Sequence, residues 1–73
     1  MDYQAIGRTV RAERERQGVS QTELAEWTGL HYNTIQKVEL GKGKLLSFDA
    51  VAKICRVLRI SLDELDEKHG GPY

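Results

Sequence analysis

Ser20-Gln21-Thr22-Glu23-Leu24-Ala25-Glu26-Trp27-Thr28-Gly29-Leu30-His31 runs directly into Tyr32-Asn33-Thr34-Ile35-Gln36-Lys37-Val38-Glu39-Leu40-Gly41, and this stretch decides the fold. Ser20 followed three residues later by Glu23 is a capping box. The serine oxygen accepts from a free N–H of the first helical turn, and the glutamate reaches back to the serine N–H. The run from Gln21 to Thr28 presents Leu24, Ala25 and Thr28 to one side. Gly29 stands where that run must stop, because glycine enters the left-handed region without a Cβ clash. After Gly29-Leu30-His31 a second periodic run begins, about Tyr32 to Leu40, with Ile35 and Val38 inward. His31 caps less well than a hydroxyl or amide residue, so Asn33 or Thr34 is expected to set its first turn.

Two short helices joined by a three-residue turn have the spacing of a helix-turn-helix. The flanking chain supplies the rest of an all-α bundle. Asp2 to Gln17 reads as a first helix, with Asp2 as N-cap, Gly18 as terminator and Tyr3, Ile6 and Val10 on one face. Its other face carries Arg8, Arg11, Glu15 and Arg16, a solvated surface. Gly41-Lys42-Gly43-Lys44-Leu45-Leu46 reads as a pliable basic loop. Its Gly-Lys pairs do not make a phosphate-binding loop, since the glycine spacing, the following Ser/Thr and a preceding strand are absent. Ser47 caps a fourth helix, Phe48 to Leu58, with Phe48, Val51, Ile54, Cys55 and Leu58 as its core stripe. Lys53, Arg56 and Arg59 form its outer side. Cys55 falls on the stripe and reads as an inert buried thiol. Ser61-Leu62-Asp63-Glu64 is a second capping box and opens a fifth helix with an acidic start, which ends near Gly70-Gly71-Pro72.

The chain has 73 residues, enough for one small domain. A lone cysteine excludes an internal disulfide framework and suits a reducing compartment. No apolar run approaches a membrane span and no leader is visible at Met1-Asp2-Tyr3, so a soluble cytoplasmic protein with no membrane partner is expected. Net charge is zero, but unevenly spread. Through Ile60 there are ten Lys/Arg against seven Asp/Glu, and from Ser61 onward Lys68 stands alone against four acids. A DNA reader needs a local basic face, not a basic total.

The residues Ser20-Gln21, Glu23-Leu24-Ala25, Gly29, Ile35, Val38-Glu39 and Gly41-Lys42 give the chain a pattern that resembles the Cro and phage-repressor (XRE-type) helix-turn-helix family. With the flanking segments the likeness extends from Ile6 to Leu65. It implies a compact five-helix, lambda-repressor-like bundle from a bacterial or phage-encoded regulator of transcription. The base-reading positions then fall on Tyr32, Asn33 and Lys37, with Thr34 and Gln36 beside them. Asparagine can bond adenine, lysine can reach guanine acceptors, and tyrosine can touch a thymine methyl or a phosphate. Phosphate contacts fall on Gln21, Thr22, Lys42 and Lys44. The resemblance also implies a shielded ion pair between Arg14 and Glu39. It implies a homodimer through Ile60, Leu62 and Leu65.

Nothing in the sequence suggests an enzyme. There is no metal-ligand set, no nucleophile beside a base and no cofactor fingerprint, and His31 has no second ligand at metal spacing. The expected partner is double-stranded DNA. A rival reading is a protein-interaction module, an antitoxin or adaptor, that holds a protein through Trp27 or the acidic fifth helix. The plainer reading of Trp27 is partial packing against the first helix.

Overall fold

The computed structural model describes residues 2–43 and 47–61. Among them are four helices and no strand: α1 Tyr3–Arg16, α2 Gln21–Thr28, α3 Tyr32–Glu39 and α4 Phe48–Leu58. The fifth helix read from Ser61 onward, including Leu62 and Leu65, lies outside the described residues, as does Lys44.

Each helix starts on a side-chain cap. Asp2 Oδ1 accepts from the Ala5 N–H at 3.0 Å, and Ser47 Oγ accepts from the Ala50 N–H at 3.2 Å. At α2 both halves of the capping box are made: Glu23 N–H to Ser20 Oγ and Ser20 N–H to Glu23 Oε1, each 3.0 Å. The cap of α3 differs from the sequence expectation. His31 itself does the work, its Nδ1 accepting from the Asn33 N–H at 3.0 Å. Residue type ranks caps by the ease of placing an acceptor over the first turn, and the imidazole reaches that position through its unprotonated nitrogen.

The four helices also end alike. One residue enters the left-handed region, and the next donates its N–H to the carbonyl five residues back. These bonds are Val19 to Arg14 (3.0 Å), Leu30 to Ala25 (3.2 Å), Lys42 to Lys37 (2.8 Å) and Ile60 to Cys55 (2.8 Å). Such closures bring an apolar residue just past the turn back onto the helix. That is why Val19 and Ile60 are core residues although neither lies on a helix. The left-handed residue is glycine at three ends, Gly18, Gly29 and Gly41, but Arg59 at the fourth, with φ +61°. A side chain there costs about 1–2 kcal/mol of backbone strain. Arg59 is exposed, so Arg59→Gly is expected to gain about 1 kcal/mol. A melting temperature no higher than that of the parent chain would contradict this.

The core is one cluster. Ile6 and Val10 of α1, Leu24 and Ala25 of α2, Ile35 and Val38 of α3, and Val51, Ile54, Cys55 and Leu58 of α4 meet Val19 and Ile60. α1 packs on α3 and α4, and α2 packs on the same two helices. Gln17 adds a polar tie: its amide donates to the Leu58 carbonyl at 2.7 Å, satisfying an otherwise open end of α4. Phe48 corrects the sequence reading. It shares the helical phase of Val51 but sits at the first position of α4, beyond the edge of the core, and is 59% exposed.

Burial pushes the Cys55 thiol from 9.0 up to about 11. The folded chain therefore holds this proton more tightly than the unfolded chain. The resulting stability is intact below pH 9.0 and is lost as pH rises toward about 11. Urea melts are expected to show a steeper loss over that window in the native chain than in Cys55→Ala. Equal pH slopes would refute the assignment.

Candidate nucleic-acid interface

α3 is braced from behind and open in front. Ile35 and Val38 are buried against the other helices, while Tyr32, Asn33 and Lys37 are exposed and Thr34 and Gln36 are half-buried. The five positions read as base contacts thus fall on one short helix, with Asn33 and Lys37 on its outer side. Among the described residues the side chains of Asn33 and Lys37 have no partner. Gln36 and Tyr32 do: the Gln36 amide nitrogen donates to the Tyr32 hydroxyl at 3.3 Å, one helical turn apart.

A buried polar cluster fixes the angle of this helix. Arg14 Nε donates to Glu39 Oε2 at 2.7 Å and Arg14 Nη2 to Glu39 Oε1 at 3.1 Å, a two-pronged pair. The third arm, Nη1, donates to the Val19 carbonyl at 2.9 Å. Hydrogen bonding to Glu39 raises the Arg14 guanidinium above its ordinary value, so it stays charged. Gln21 completes the set, its amide donating to Glu39 Oε1 at 3.0 Å. One carboxylate therefore joins the C-terminal half of α1, the start of α2 and the end of α3.

This placement revises the reading of Gln21. The resemblance implies that it contacts a phosphate. In the fold its amide nitrogen is already engaged by Glu39, and only its second N–H and its carbonyl remain. No local pattern signals this, because the partners lie eighteen residues apart. Thr22 is exposed on the first turn of α2, where backbone N–H groups lack helical acceptors. Lys42 is exposed just past α3.

The surface cations divide into two kinds. Arg11, Arg16 and Lys53 each meet an acid on their own helix, Glu15 at 3.7 Å, Glu13 at 2.8 Å and Asp49 at 3.5 Å. Lys37 and Lys42 have no acid within ion-pair distance among the described residues. Among the described residues the unpaired lysines are those at α3 and its exit, while the exposed Arg8, Arg56 and Arg59 also lack an ion pair.

Ile60 does not fit the role the resemblance gave it. It is 6% exposed in the single chain and belongs to the core, because the closure of α4 folds it back. It has little surface to give a partner. Trp27 is 55% exposed, so about half of its surface is open on α2.

The profile of a protein family described as a helix-turn-helix domain matches residues 5–67. The chain belongs to that helix-turn-helix family. The match spans α1 to α4 and is of the Cro and phage-repressor (XRE) kind. No curated protein gives a significant match to the sequence. A helix-turn-helix domain suggests a DNA-binding regulator, and none of the helices among the described residues is long and apolar enough to cross a membrane.

Proposed function

We propose that this protein is a sequence-specific DNA-binding regulator of transcription, not an enzyme, that lays α3 in the major groove. The observation that carries the reading is α3 itself. Its apolar side is held by the core and its clamp to α1 and α2, and its polar side, Asn33 and Lys37 above all, is presented outward. An α-helix fits the major groove of B-DNA, where each base pair shows a distinct donor and acceptor pattern. Lys42, Lys44, Thr22 and the second N–H of Gln21 would grip phosphates, setting position but not sequence.

One helix of this length covers only a few base pairs. A homodimer reading a (pseudo)palindrome, with half-sites about 34–36 Å apart, supplies the missing affinity. With Ile60 in the core, pairing would rest on the segment after Ser61, Leu62 and Leu65 included. Light scattering that finds only monomer at high concentration would refute the dimer.

The test of DNA binding is retention on random duplex at low salt. Each phosphate contact contributes a slope of about −0.9 in log affinity against log salt. Lys37→Ala and Lys42→Ala are each expected to weaken binding severalfold, and Lys42→Ala to flatten the slope by about one contact. No retention at low salt would overturn the reading. It would favour the rival protein-interaction module, for which the one specific observation is Trp27, 55% exposed on α2.

A further inference from the structure

We infer that Tyr32 is a positioning residue rather than a base reader, and that it aims the Gln36 amide at an adenine. The inference rests on the DNA-binding reading above and goes further by naming a base. Tyr32 opens α3 and Gln36 lies one turn later, so their side chains meet on the outer face of the helix. The Gln36 amide nitrogen donates to the Tyr32 oxygen at 3.3 Å. Gln36 is half-buried, and its amide is tied at one corner.

The tie decides what the amide can still offer. A glutamine amide has two N–H donors and one carbonyl acceptor. With one N–H on Tyr32, one donor and one acceptor remain side by side. That pair matches the major-groove edge of adenine, where N7 accepts and the N6 amino group donates. It does not match guanine, whose N7 and O6 are both acceptors. In the fold the tie engages the amide nitrogen and leaves the carbonyl open beside the second N–H. Asn33 and Lys37 have no such tie among the described residues and bring their donors and acceptors free.

The experiment uses the full chain, a duplex selected by it from a random pool, and copies of that duplex with single base pairs exchanged. The native chain is expected to prefer A·T at one position of the half-site by about tenfold, which is about 1.4 kcal/mol. Gln36→Ala should abolish that preference. Tyr32→Phe keeps the ring and removes only the hydroxyl. It should cut the same preference severalfold while leaving affinity for the exchanged duplexes and the salt slope unchanged. A purely structural role would lower affinity for every duplex alike and would leave the preference intact. Three results would overturn the inference: a uniform loss with a flatter salt slope in Tyr32→Phe, which makes Tyr32 a phosphate contact; a guanine preference lost in Gln36→Ala; or an unchanged base profile in both variants. Melting curves of both variants matching the native chain exclude misfolding. A native chain that selects no duplex refutes the DNA reading itself, and this inference with it.

Discussion

Gly7→Ala is expected to lower the melting temperature by about 10 °C or more, although alanine is the better helix former. A Cβ built on Gly7 would clash with the Val38 carbonyl oxygen and stand 2.8 Å from the Glu39 oxygen and 3.0 Å from the Glu39 carbonyl carbon. All three are backbone atoms near the end of α3, so no side chain can swing away. Relief requires α1 to move off α3. Overpacking of this kind costs about 1–3 kcal/mol, and more where backbone must shift. The gain in helix propensity, about 1 kcal/mol, works in the opposite direction. We expect the clash to win by about 2 kcal/mol, a large part of the stability of a domain this small. Ala12 is exposed on the same helix, and Ala12→Gly should cost about 1 kcal/mol from propensity alone. If local preference governed both sites, Gly7→Ala would instead melt higher than the native chain, and that outcome would sink the close-approach account.

Gly7 also marks the boundary of what a sequence discloses. Read locally it is a weak residue inside a helix. Its reason lies in the carbonyls of Val38 and Glu39, more than thirty residues away. The helices themselves are legible because caps and periodicity are local. Ser20 with Glu23, Gly29 after Thr28, and the Ile35–Val38 phase place α2 and α3 to within a residue. The core positions missed, Val19 and Ile60, lie after left-handed turns, outside any helical phase. Gly18-Val19 and Gly29-Leu30 carry a readable signal, a glycine followed by an apolar residue. At the fourth end Arg59 disguises the same turn. Phe48 errs the other way, since periodicity fixes direction around a helix and not depth along it. At the interface the outward residues of α3 follow from the inward ones. The hydrogen bonds of Gln21 to Glu39 and of Gln36 to Tyr32 do not follow, because amides have many possible partners and only assembly selects one.

Arg14→Ala is expected to be the other severe loss, because it strands a carboxylate. The Arg14 and Glu39 side chains are 11% and 4% exposed. Removing one partner of a buried pair costs about 3–5 kcal/mol, most of it the penalty of leaving the other charge unpaired. Arg14 keeps some contact with water, so the low end, about 3 kcal/mol, is the expectation. The Val19 carbonyl loses its donor in the same step, and Gln21 is left as the one side-chain donor to Glu39 among the described residues. Glu39→Ala strands the guanidinium instead and should cost a similar amount. Because each single change already breaks the pair, the double variant should lose clearly less than the two losses added. Urea melts of the two single variants and the double variant measure this directly. Arg14→Ala melting like the native chain, or strictly additive losses, would show that the pair is not what holds α3 to α1. The consequence for DNA follows from the same carboxylate. Without Arg14, Glu39 no longer sets the end of α3 against α1, and the angle at which Asn33 and Lys37 are offered is no longer fixed. Arg14→Ala should therefore lose duplex affinity even at temperatures where it remains folded.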